Sequence, residues 1–160
     1  MTTATRERPH QLQRATRRRV LVVIDEPCPS QSLCATLRRR AAREPIDALV
    51  IAPERGSTAT QWYVDEDAAR ADAAKRLRGC ISCLAAGGIR VRGRLADPDP
   101  VNAIADALHD FPADEILLIT APQRPSIWLR PNVIDRVRRG FHQPVEHILV
   151  SPTTPTGREP

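Results

Sequence analysis

The chain is expected to fold as an α/β protein, a parallel sheet between two layers of helices, and three features of the sequence lead to that expectation. Apolar runs rich in Val, Ile and Leu alternate with amphipathic segments of helix length along most of the chain. The central runs, Val20 to Ile24 and Ile116 to Ile119, are apolar throughout, as strands covered on both faces must be. Pro, Gly, Asp and Ser stand where helices should start and stop. The 160 residues suffice for one buried core, and with aromatics at only 3% that core must be aliphatic.

Each element follows from the local pattern. A first strand is expected over Arg19 to Asp25, then a helix capped by Ser30 or Ser32 and running to about Arg43, with Leu33, Leu37 and Ala41 at helical spacing. Asp47 to Ala52 reads as the second strand. Asp65 is placed to cap a long helix that ends at Ala86 before Gly87-Gly88. Ile89 to Leu95 is the third strand, and its alternation with Arg90, Arg92 and Arg94 suggests one exposed face and an edge position. Asp99 caps the next helix with Pro100 in its first turn, and Val101, Ile104, Ala105 and Leu108 form the expected buried stripe. Glu115 to Thr120 is the fourth strand. A Pro-rich loop from Ala121 to Pro131 leads to a last helix, Asn132 to Arg139, and Val145 to Val150 is the fifth strand.

Charge divides the chain into an arm, a domain and a tail. Residues 1–18 are an Arg-rich arm expected to be disordered, residues 19–152 are the domain, and residues 153–160 are a second disordered tail. Residues 1–19 carry six arginines against Glu7 and account for the whole net charge of +5. Any contact with nucleic acid is therefore expected through that arm alone, and a solvated tail is the simpler account. No run approaches a membrane span and no apolar segment follows the first arginines, so membrane and secretory classes are set aside and a cytoplasmic protein is expected.

Cys28, Cys34, Cys80 and Cys83 are expected to be reduced thiols packed as small apolar groups. Cys80 and Cys83 form a C-x-x-C inside a helix, and the first two helices should lie on one side of the sheet, so a zinc or redox cluster is the alternative. His10, His109, His142 and His147 show neither ligand spacing nor a nucleophile partner, and Arg38-Arg39-Arg40 reads as a solvated helix face. Asp97 with Asp99, and Asp65 with Asp67, read as capping acids. No catalytic constellation and no metal site emerge.

Three segments carry a resemblance: Val20-Leu-Val-Val-Ile-Asp25, Gly93-Arg-Leu-Ala-Asp-Pro-Asp-Pro-Val101, and Val137-Arg-Arg-Gly-Phe-His-Gln-Pro-Val145 before an apolar strand. In their order and spacing they resemble the universal stress protein family over residues 18–151. The Pro122-Gln-Arg-Pro-Ser-Ile-Trp-Leu129 loop resembles that of a divergent branch found in GC-rich bacteria. The resemblance implies a sheet order of 3-2-1-4-5, a ligand crevice at the carboxyl ends of strands one and four, and a homodimer formed through the fifth strand. It places Asp25 against a nucleotide such as ATP or AMP. In place of the family's glycine-rich phosphate signature, Thr120 and Gln123 stand where the first glycines would be and Pro131-Asn132 replace the last Gly-Ser. Proline brings no N–H to a phosphate, which argues against ATP binding of the family's kind. Arg124, Ser126, Arg130 and Asn132 remain as side-chain donors for a phosphate near a helix N-terminus, unless Trp128 fills the crevice. The implied function is non-enzymatic stress-response regulation through dimerisation and an unknown protein partner. A nucleotide-binding module with slow hydrolysis is the alternative.

Overall fold

A computed structural model describes residues 16–25, 31–54, 66–120 and 131–149. Within them the chain runs β1 (Arg18–Ile24), α1 (Gln31–Arg43), β2 (Ile46–Pro53), α2 (Glu66–Ala86), β3 (Arg90–Ala96), α3 (Pro100–Asp110), β4 (Glu115–Thr120), α4 (Pro131–Gly140) and β5 (Val145–Leu149). The arm and the tail expected to be disordered fall, but for a few residues of the arm's end, outside the described residues.

The five strands form one parallel sheet in the order β3-β2-β1-β4-β5. Strand β1 is central, paired with β2 from Arg18 to Val23 and with β4 from Val20 to Ile24. Alternation along it sends Val20, Val22 and Ile24 into a core with α1 and α2, and Leu21 and Val23 into a second core with α3 and α4. Burying each such side chain contributes about 1.5–3 kcal/mol, which is why the apolar runs of β1 and β4 end up in the middle.

The edge position expected for β3 holds, but its arginine face is partly covered by the end of α3. Arg92 lies 5.5 Å from the centre of the Phe111 ring and Arg94 donates to Asp110 at 2.7 Å. Asp99 caps α3 as expected, accepting from the N–H groups of Val101 and Asn102, while Asp97 accepts from Asp99 N–H. Of the stripe expected for α3, Ile104 is buried and Val101 and Leu108 pack half-buried against the same core, while Ala105 does not. Pro100, Ala103, Ile104 and Ala107 are buried and Ala105 is exposed, because small residues let the helix sit close on β1 and β2.

Two further expectations are corrected. Arg40 is not merely solvated, since with Arg18 it flanks Glu115 (3.5 and 3.2 Å) and also pairs with Glu146, tying α1 to β1, β4 and β5. The cysteines are not all thiols: Cys34 of α1 and Cys83 of α2 are joined as a disulfide, with Cα atoms 6.3 Å apart. Cys80 is buried beside them, and Cys28 lies outside the described residues. Sequence spacing brought α1 and α2 to one face but contained no measure of which thiols would meet.

Candidate functional site at the carboxyl ends of the strands

Connections diverge on either side of β1, toward β2 on one side and β4 on the other, and this is where an open parallel sheet leaves a crevice. The alternation of β1, continued one residue past its end, carries Asp25 onto the face of Leu21 and Val23. Asp25 N–H donates to Ile119 O at 3.0 Å, so the backbone is still held to β4 one residue beyond the strand. Its side chain is buried, with 1% exposure. The register Ile24 to Ile119 sets Thr120 abreast of Asp25, and Thr120 is equally buried. The structure thus brings together two polar side chains at the head of an aliphatic core.

Thr120 reaches the other way as well. Its Oγ1 lies 2.6 Å from Nε2 of His147, which follows Glu146 on β5 and shares the face of Leu118, its neighbour in register. Burial, and after it the Arg138 guanidinium, hold the His147 imidazolium below its ordinary pKa range. The ring is therefore neutral near pH 7, and one of its nitrogens can accept the Thr120 proton. The sequence showed no nucleophile partner for any histidine, and the structure sets the Thr120 hydroxyl beside His147. The signal was present in the two-residue alternation of β5, but only the β4–β5 register reveals which residue His147 meets.

On the far side of β1 stands a residue that sequence reasoning missed. Arg76 of α2 is 2% exposed, donates from Nη2 to Pro53 O at 3.0 Å and sits 3.5 Å from Asp72. Pro53 ends β2, level with Asp25 when the register of Val23 with Ile51 is continued. A guanidinium and a carboxylate are thus both buried at the carboxyl ends of adjacent strands. The clue lay in the stripe Ala73, Leu77, Cys80 and Leu84, to whose face Arg76 belongs.

Of the other expected site residues, Asn132 is exposed at the start of α4, and Arg124, Ser126 and Arg130 lie outside the described residues, as does Trp128. A separate cavity of 490 Å³ opens between the end of β3 and α3, lined by Glu54, Arg94, Asp97 and His109 among others. Two of its carboxylates are paired with arginines, Asp110 with Arg94 and Glu54 with Arg70, and Asp97 and Asp106 line it as well. Among the described residues no cluster of His, Cys, Asp or Glu is arranged to hold a metal, and no helix is long and apolar enough to cross a membrane.

No protein-family model matches the chain, and no curated protein matches it by sequence. Solved structures do match. The universal stress protein from Archaeoglobus fulgidus is 18% identical and similar with a TM-score of 0.59, over 82% of this chain and 93% of that one. The same organism's universal stress protein in complex with dAMP is 18% identical with a TM-score of 0.58, over 82% and 97% of the two chains. The fold is that of the universal stress proteins. A protein of that family from Burkholderia pseudomallei, 16% identical, is similar over 81% of this chain and 94% of its own, with a TM-score of 0.55. The strand order expected from the resemblance is the one observed, and the universal stress protein fold accounts for both helical layers.

Proposed function

We propose that this protein is a non-enzymatic regulator of the universal stress protein type, which self-associates along β5 and acts by contact with a protein partner. The observation that carries this reading is the state of β5. It is a five-residue edge strand, and Leu149 is 55% exposed, the one large apolar side chain so exposed among the described residues. An edge of unpaired backbone beside an exposed leucine is a template for another strand. A two-fold axis across it would pair β5 with β5 antiparallel and cover this edge, leaving β3 at each end of the joined sheet. Sedimentation equilibrium tests it: the wild type should be a dimer at micromolar concentration and Leu149→Arg a monomer. A monomeric wild type overturns the proposal.

A second reading, a nucleotide-binding module, is favoured by Asp25 and Thr120 lying buried and abreast at the switch point, together with the fold shared with a protein solved in complex with dAMP. Here Asp25 and Thr120 would meet the nucleoside. Arg124, Ser126, Arg130 and Asn132 would meet the phosphates of ATP or AMP in place of glycine amides, with slow hydrolysis as a further capacity. Any ligand of the native state raises the melting temperature. Millimolar ATP, ADP or AMP should therefore shift it in the wild type and not in Asp25→Asn, and the absence of a shift with all three excludes this reading.

A further inference from the structure

We infer that Cys34 and Cys83 form a reversible dithiol–disulfide site, in which Cys83 is the sulfur that meets a peroxide or an incoming thiol. Helices α1 and α2 lie side by side over one face of the sheet. Cys34 belongs to the stripe Leu33, Cys34 and Leu37, and Cys83 to the stripe Cys80, Cys83 and Leu84. Their Cα separation of 6.3 Å falls within the roughly 4.4–6.8 Å that a disulfide spans. The two backbones stand at a spacing that a disulfide can bridge.

Exposure assigns the roles. Cys34 is 4% exposed and Cys80 0%, whereas Cys83 is only partly buried. An oxidant arriving from solvent reaches Cys83 first. Arg38, one turn beyond Cys34, lies across α2 at Gly87, one turn beyond Cys83: a Cβ at Gly87 would stand 2.6 Å from Arg38 Cγ and 2.7 Å from Nε. Arg38 thus bridges the two helices next to the turns that carry the cysteines, and the thiolate is the form of Cys83 that reacts.

The chemistry balances with hydrogen peroxide as oxidant. The Cys83 thiolate attacks a peroxide oxygen; an S–O bond forms as O–O breaks, and the expelled hydroxide takes a proton to become water. Cys34 then attacks the Cys83 sulfur, S–S forms as S–O breaks, and the second hydroxide leaves as water with the Cys34 proton. Two thiols lose two protons and two electrons, and one peroxide becomes two waters. Reduction reverses this by thiol exchange. An external thiolate attacks the Cys83 sulfur and releases Cys34, and a second external thiol then displaces the first from Cys83 as a disulfide.

The test uses the full chain, reduced with dithiothreitol, desalted and treated with one equivalent of hydrogen peroxide, with intact mass and peptide mapping as readouts. The expected result is a loss of two hydrogens, a crosslink between the Cys34 and Cys83 peptides, and full reversal by dithiothreitol without denaturant. The oxidised form should melt at least about 5 °C above the reduced one. In Cys34→Ser, dimedone should label Cys83 and leave Cys80 unlabelled. The wild-type map decides the pairing even if that variant does not fold. A bond through Cys28 or Cys80, label on Cys80, or a disulfide that dithiothreitol opens only after unfolding overturns the inference.

Discussion

Alanine at Gly93 should destabilise the protein although it adds a single methyl group. Gly93 faces α2 from the middle of β3, and a Cβ there would stand 2.5 Å from Ile81 Cδ1, 2.6 Å from Leu77 Cδ1 and 3.1 Å from Leu77 Cγ. Carbon atoms rest at about 3.5–4.0 Å, so roughly 1 Å must open. Leu77 is 8% exposed and packs within the core, so it cannot simply swing into water. Either two side chains leave their rotamers or α2 lifts from the sheet. Overpacking of this kind costs about 1–3 kcal/mol, and the stiffer unfolded chain returns about 0.4–1 kcal/mol. The net loss should be about 1–2 kcal/mol. Gly87→Ala is the control. Its methyl meets Arg38 at a similar distance, but Arg38 is exposed and free to rotate, so the change should stay within about 0.5 kcal/mol. Urea unfolding midpoints with unchanged slopes would read both. If Gly93→Ala is as stable as the wild type while Gly87→Ala is not, close packing of α2 on β3 is the wrong account.

Asp99→Ala removes the acceptor for two N–H groups at the start of α3 and should cost about 0.5–2 kcal/mol; Asp99→Ser should recover most of it, and equal loss in both variants would show that the cap is not the cause. For His147 the sign follows from its lowered pKa. The unfolded chain takes the proton first, so this group's stabilisation is complete above about pH 6.5 and is lost as pH falls through the lower native value. His147→Gln should flatten that part of the stability profile measured from pH 7.5 to 5, and an unchanged profile would refute it.

Much of the molecule was legible along the chain because its signals are local. Apolar runs marked β1 and β4, Asp99-Pro100 marked the start of α3, and alternating arginines marked β3 as an edge. Boundaries moved by one or two residues at most, since neighbouring strands extend one another's ladders. The candidate site was only half legible. Asp25 and Thr120 stood out as polar ends to apolar strands, but Arg76 was hidden in a long charged helix and His147 in a short strand.

By itself the sequence determined which segments are strands and which are helices, the parallel α/β class and the polar residues that end β1 and β4, because burial period and caps act within a few residues. Tertiary structure alone decided that Thr120 meets His147, that Arg76 is buried at the end of β2 and that Cys83 pairs with Cys34 rather than Cys80. Each of these depends on strand register or on the rotation of one helix against another. Those are set by packing between segments far apart in the chain, where a shift of one residue changes every neighbour.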